Sequence, residues 1–219
     1  WNLFRVDQST NDMDLIPLTN IEAEIGLPQW VFGQSRYVFV GDEIWLAYRE
    51  AGIDNLATLL PDGRLEKIEI DATEIESVTN YQDGIVATVS SWKAESLVTF
   101  VNRKEIRPLS KTRDLGIDEN WFPVPETFTY QTSDSEKAHA LFYAPTNPEY
   151  EISEKEKPPL IVLAHGGPTA AARRQLQLSI TYWTSRGFGV ADVDYRGSTG
   201  YGRSFRNRLR NSWGLADVE

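Results

Sequence analysis

Residues Leu160 to Thr169 read LIVLAHGGPT, an apolar run that stops at a histidine, two glycines and a proline. Such a run reads as a buried strand that ends in a sharp turn. Without a Cβ, paired glycines let the backbone bend and leave its amide N–H groups open to whatever binds there. A turn of that kind suits an anion. His165, Gly166 and Gly167 are therefore the first candidates for chemistry. A tight turn with a histidine satisfied inside the fold fits the same letters, and both readings stand at this level.

Other residues carry weaker signals. Asp192 and Asp194 lie two apart in VADVDY, hence on one face of a strand and roughly 7 Å apart, which suits a metal or a glycosidase-like carboxylate pair as well as a structural role. His139 alternates with Ala138 and Ala140 and reads as a packed or edge histidine. Arg203, Arg206, Arg208 and Arg210 read as a solvated helix face, with an acidic partner as the alternative. No metal site and no cofactor are expected. The absence of cysteine excludes disulfides, thiolate zinc sites and a cysteine nucleophile, and favours a reducing compartment, so the cytoplasm is expected. A net charge of -10 argues against nucleic acid or an anionic membrane as the partner. The longest apolar runs fall short of the roughly 20 residues of a membrane helix.

These candidates need elements to hold them. From Trp1 to about Arg113 short alternating segments such as RYVFV, IWLAYR, GIVATVS and ESLVTFV read as strands, separated by turn signals at Gly41, Pro61–Gly63 and Gln82–Gly84. Two stretches of about four strands each match the size of a β-propeller blade, with a β-sandwich as the alternative. Trp30, Trp45 and Trp92 are expected to fill the core. Farther on, ETFTYQTSD and KAHALFYAPT read as strands, and the polar stretch from Asn147 to Lys157 as a solvated loop. Then comes a βαβ unit: a buried strand Pro159–Ala164, a helix around Gln175–Arg186 and a second buried strand Val190–Tyr195, with a further helix from about Tyr201. Leu176, Ile180 and Trp183 fall on one helical face, and Gly187 stands where a helix end needs a cap. The fold class is mixed: residues 1–115 form two to three closing blades of a propeller, and residues 116–219 begin a parallel-sheet α/β domain. The chain starts at Trp1 inside a strand-like WNLFRVD and stops at Glu219, so it reads as a fragment of a longer parent.

LIVLAHGGPT, a helix ending in YWTSRGF, then VADVDYRGSTGYGRSF and WGLADVE resemble the opening of the catalytic domain in the prolyl oligopeptidase family of serine peptidases. The acylaminoacyl peptidase and dipeptidyl aminopeptidase branch is the most similar. There a β-propeller precedes an α/β hydrolase domain, and the resemblance implies the same order here. In α/β hydrolases one oxyanion-hole N–H comes from the loop after the third strand, the place HGGP occupies. The resemblance thus gives Gly167 an N–H donor's role, with Gly166 shaping the turn, His165 held by backbone geometry or a hydrogen bond, and Arg196 bracing loops by ion pairing. The family's nucleophile lies in a GxSxG elbow, and no GxSxG occurs here; Ser198 in RGSTG has Arg196 where the elbow needs glycine. The triad is expected beyond Glu219.

The function implied is a serine peptidase that cleaves short peptides through a Ser-His-Asp triad and an acyl-enzyme, with this chain supplying the oxyanion loop and inactive alone. The alternatives are a non-catalytic propeller-based binding module, or an esterase on the same core. The expected partners are a peptide substrate and, to cover an open sheet edge, either a second copy or the remainder of the parent.

Overall fold

In the computed structural model the described residues are all of 1–219 except 8, 10–13, 134, 152, 154, 155, 168 and 219. They group into two compact units, which are described separately.

The first unit comprises Trp1–Val89, Val98–Ser110 and Gly200–Ser204. It opens with an antiparallel pair, β1 (Phe4–Asp7) and β2 (Asp14–Pro17). Next, β3 (Tyr37–Val40), β4 (Glu43–Glu50), β5 (Ile53–Leu59) and β6 (Leu65–Ile68) form an antiparallel sheet in chain order. A second four-stranded sheet also keeps sequence neighbours adjacent: β7 (Glu74–Tyr81), β8 (Gly84–Ser91), β9 (Ala94–Val101) and β10 (Ile106–Pro108), with Ser90–Leu97 of its β8–β9 hairpin counted in the second unit. The connection between β4 and β5 is Ala51-Gly52, both with positive φ, as a two-residue hairpin on twisted strands requires. Leu3, Ala23, Ile25, Leu46, Tyr48, Ala57 and Leu59 make one apolar cluster.

A buried ion cluster also lies in this unit. The carboxylate of Asp54 takes Arg36 Nη2 and Arg49 Nε at 3.0 Å each, and the N–H of Ile75 at 2.8 Å. Arg49 also pairs with buried Glu74. Of the three tryptophans assigned to the core, Trp45 is buried, Trp92 half-buried and Trp30 60% exposed. Trp30 departs from expectation because it belongs to the irregular segment before β3, where no sheet face covers it.

The second unit comprises Ser90–Leu97, Lys111–Thr199 and Phe205–Glu219. Its strands are β11 (Pro125–Gln131), β12 (Lys137–Tyr143), β13 (Leu160–Ala164) and β14 (Gly189–Asp194), in the sheet order β11-β12-β14-β13. β14 runs antiparallel to β12 and parallel to β13, and the crossover between the parallel pair carries helix α1 (Leu178–Thr184). A second short helix, α2, spans Gly202–Arg206, its residues up to Ser204 counted in the first unit and the rest in the second.

β14 lies inside the sheet and is almost wholly buried. β13 is not the buried strand its letters suggest: Leu160 and Val162 are 55% and 62% exposed, because it pairs with β14 alone and forms the sheet edge. The helical face also differs. α1 buries Ile180, Thr181 and Thr184, while Trp183 turns outward against the rings of Tyr182 and Phe188, and Leu176 precedes the helix. Gly187 ends the helix as expected: at φ +87° it lets Phe188 N–H reach Trp183 O (3.2 Å) and its own N–H reach Thr184 O (3.1 Å), the paired bonds of a left-handed glycine cap. None of the described helices is long and apolar enough to cross a membrane.

Candidate functional site

Two adjacent parallel strands deliver their following residues side by side. Ala164 is in register with Val193, so His165–Gly167 after β13 meet Tyr195–Ser198 after β14. The His165 ring stacks on Tyr195 with centroids 4.3 Å apart and 27° between planes, and the Tyr195 hydroxyl donates to His165 O at 3.3 Å. His165 Nε2 stands 2.7 Å from Ser198 Oγ, and Nδ1 stands 2.8 Å from Gly166 O. Farther along, Thr199 N–H donates to Ala170 O (2.9 Å) and Ala172 N–H to Asp194 Oδ1 (2.7 Å). The segment after β13 is therefore tied to β14 and its turn at residues 165, 170 and 172.

Burial holds the His165 pKa below its ordinary value, opposed by the Gly166 carbonyl, so the ring is neutral near pH 7. A carbonyl only accepts, which puts the ring proton on Nδ1. Ser198 then has one hydroxyl proton for two acceptors, Nε2 of His165 and the Tyr195 carbonyl, each 2.7 Å away. Ser198 is completely buried. It is a tie within the fold rather than an accessible nucleophile.

Gly166 and Gly167 are exposed, and neither has a left-handed φ. Among the described residues neither N–H has a hydrogen-bond partner, so this stretch of backbone presents donors while its neighbour His165 is locked. Pro168, the last letter of the HGGP motif, lies outside the described residues.

The other candidates have structural surroundings. Asp194 is buried and accepts from Ala172 N–H, with His165 Nε2 3.8 Å away. Asp192 sits on the same face of β14, and burial pushes its pKa up to about 6. Among the described residues no three His, Cys, Asp or Glu side chains gather as metal ligands. His139 lies in β12 with Thr129 Oγ1 at 2.9 Å and the Phe205 ring at 5.1 Å. Arg208 pairs with Glu136 at 2.8 Å, whereas Arg203 and Arg210 are exposed. Arg196 Nε donates to Ala216 O at 2.8 Å.

Sequence reasoning missed Ser198 and Tyr195 as partners of His165. The signal was available, since residues that follow paired parallel strands at matching register must meet. It missed Trp213 altogether, whose ring lies against Gly167.

A model of the prolyl oligopeptidase family matches residues 174–219. The chain is 26% identical over 156 residues to an uncharacterized peptidase, YuxL, of Bacillus subtilis (strain 168), covering 71% of this chain and 23% of that protein. To the acylamino-acid-releasing enzyme of Rattus norvegicus it is 30% identical over 130 residues, covering 57% of this chain and 16% of that protein. The crystal structure of puromycin hydrolase matches with a TM-score of 0.91 at 33% identity, over 100% of this chain and 33% of that one. The chain thus spans less than a quarter of these curated relatives, and a third of this solved one.

Proposed function

We propose that the chain, which is similar to proteins of the prolyl oligopeptidase family, supplies the oxyanion loop of a serine-type peptidase acting on short peptides. In this reading β3 to β10 are closing blades of a β-propeller, and residues 116–219 begin an α/β hydrolase domain. The observation that carries it is the contrast at the end of β13: exposed N–H groups at Gly166 and Gly167, without a hydrogen-bond partner among the described residues, beside a histidine fixed by ring stacking and hydrogen bonds.

The chemistry follows from that contrast. A serine outside residues 1–219 attacks the peptide carbonyl, a histidine takes its proton, and the carbonyl oxygen becomes an oxyanion that needs donors fixed in advance. Gly167 N–H is one such donor, Gly166 carries the chain past it, and His165 holds the loop without moving protons. Collapse of the intermediate expels the amine and leaves an acyl-enzyme that water hydrolyses. A cysteine-free chain is at home in the cytoplasm, where we place this activity.

The test is to treat the full-length protein with a fluorophosphonate and a peptidyl p-nitroanilide. Labelling of one serine outside residues 1–219, with hydrolysis of the anilide, is expected. Replacing Gly167 by valine should lower turnover about 100- to 1000-fold, the usual effect of losing an oxyanion donor. A folded Gly167→Val enzyme with normal turnover would sink the assignment.

A further inference from the structure

Gly167 is a glycine for a reason the turn does not supply. Its φ is not left-handed, and at Gly166 a Cβ would meet open space. At Gly167 a Cβ would instead overlap Cη2 of Trp213, with Cζ3 and Cζ2 at 2.8 and 3.1 Å. The constraint on this residue is the indole.

Trp213 is itself held from β14's side. It sits in a turn closed by Ala216 N–H to Ser212 O (2.9 Å), Leu215 N–H to Ser212 O (3.1 Å) and Gly214 N–H to Asp217 Oδ1 (2.7 Å). Arg196 Nε–H grips that turn at Ala216 O, and Arg196 lies in the same short segment as Tyr195 and Ser198, which grip His165. One turn after β14 therefore fixes the loop twice, through His165 and through Trp213. The indole is 54% exposed, so core burial does not account for its position.

We propose that Trp213 is a positioning residue: its ring edge seats the Gly167 backbone so that the N–H stays where an oxyanion forms. This rests on the oxyanion reading of Gly167. Backbone misplacement of about 1 Å costs on the order of 100-fold in rate, so a flat, rigid wall against a residue with no side chain is a direct means of control.

The experiment measures kcat, KM, fluorophosphonate labelling rate and Tm of the full-length protein and its Trp213→Ala, Trp213→Phe, Gly167→Ala and Gly167→Ala/Trp213→Ala variants. Trp213→Ala should lower kcat and the labelling rate by roughly 10- to 100-fold with KM held within about twofold, the pattern of a transition-state interaction. Trp213→Phe should recover part of that loss. Because the methyl of Gly167→Ala collides with the indole, the double variant should be no slower than Gly167→Ala alone. If Trp213→Ala or, should it fail to fold, Trp213→Phe keeps normal kcat while Gly167→Ala is slow, the Trp213 proposal falls and the oxyanion reading stands. Normal kcat in a folded Gly167→Ala enzyme removes the oxyanion reading and the proposal with it.

Discussion

The hydroxyl of Ser198 lies 2.7 Å from Nε2 of His165, at the spacing of a serine–histidine nucleophile pair, yet the serine is wholly buried and its oxygen is equally close to the Tyr195 carbonyl. The pair works as a rivet between the turns after β13 and β14. Ser198→Ala should leave Nε2 of His165 without a proton, while the Tyr195 carbonyl keeps the backbone N–H of residue 198 at 3.0 Å, and cost about 1–3 kcal/mol. Urea unfolding of the purified variant measures this, and an unchanged midpoint would show that the rivet carries no load.

Asp54 gathers Arg36 and Arg49 in the core of the first unit. Burial alone would raise its pKa, but the two guanidinium groups outweigh burial and hold it at about 2. A carboxylate depressed in the folded state stabilises above its unfolded pKa of 3.8 and loses that contribution as pH falls toward 2. Asp54→Asn, which takes the paired carboxylate from buried Arg36 and leaves Arg49 with Glu74, should cost about 3–5 kcal/mol at neutral pH and flatten the acid limb between pH about 4 and 2. Parallel acid limbs for the two proteins would refute the assignment.

Asp192 behaves in the opposite sense. On β14 it faces Leu141 of β12 and Leu163 of β13 across the sheet, and burial raises its pKa from 3.8 to about 6. The folded state then binds the proton more tightly than the unfolded chain, so stability is highest below pH about 4, falls as pH rises toward 6, and stays lower above. Asp192→Asn should gain roughly 2–3 kcal/mol at pH about 7.5 and nothing near pH 4. Denaturation curves that coincide at both pH values would contradict this.

What the letters revealed and what they hid divide along physical lines. Gly187 was legible because a left-handed cap depends on one residue's backbone, and the β13–β14 crossover because helix and strand periods differ. Burial was less legible. Leu160 and Val162 are as apolar as core residues, but whether they are covered depends on β13's place at the sheet edge, which no local pattern encodes. Trp183 matched a helical face by spacing, yet α1 is set against the sheet through Ile180 and Thr184. In the site, His165 and Gly167 stood out as sequence neighbours, whereas Ser198 and Trp213 reach them from 33 and 46 positions away along the chain. Only the register of two parallel strands makes such residues neighbours.

The final prediction is that residues 1–219, purified alone, take up no fluorophosphonate and hydrolyse no peptidyl anilide. The probe needs a serine that is accessible, deprotonated by a neighbouring base and set before oxyanion donors. No GxSxG elbow occurs in the sequence. Ser198 has a histidine at hydrogen-bond distance but is fully buried, and that histidine's other nitrogen is engaged with Gly166 O. His139, the second histidine, lies in β12 beside the Phe205 ring, tilted by 52°, with Thr129 Oγ1 at 2.9 Å. The exposed N–H groups of Gly166 and Gly167 can steady an oxyanion but cannot form one. Mass spectrometry of the treated chain, beside the full-length protein as positive control, decides the matter: a phosphonylated peptide containing Ser198, or any other serine of the 219, would place the nucleophile within this chain and overturn the division of labour proposed here.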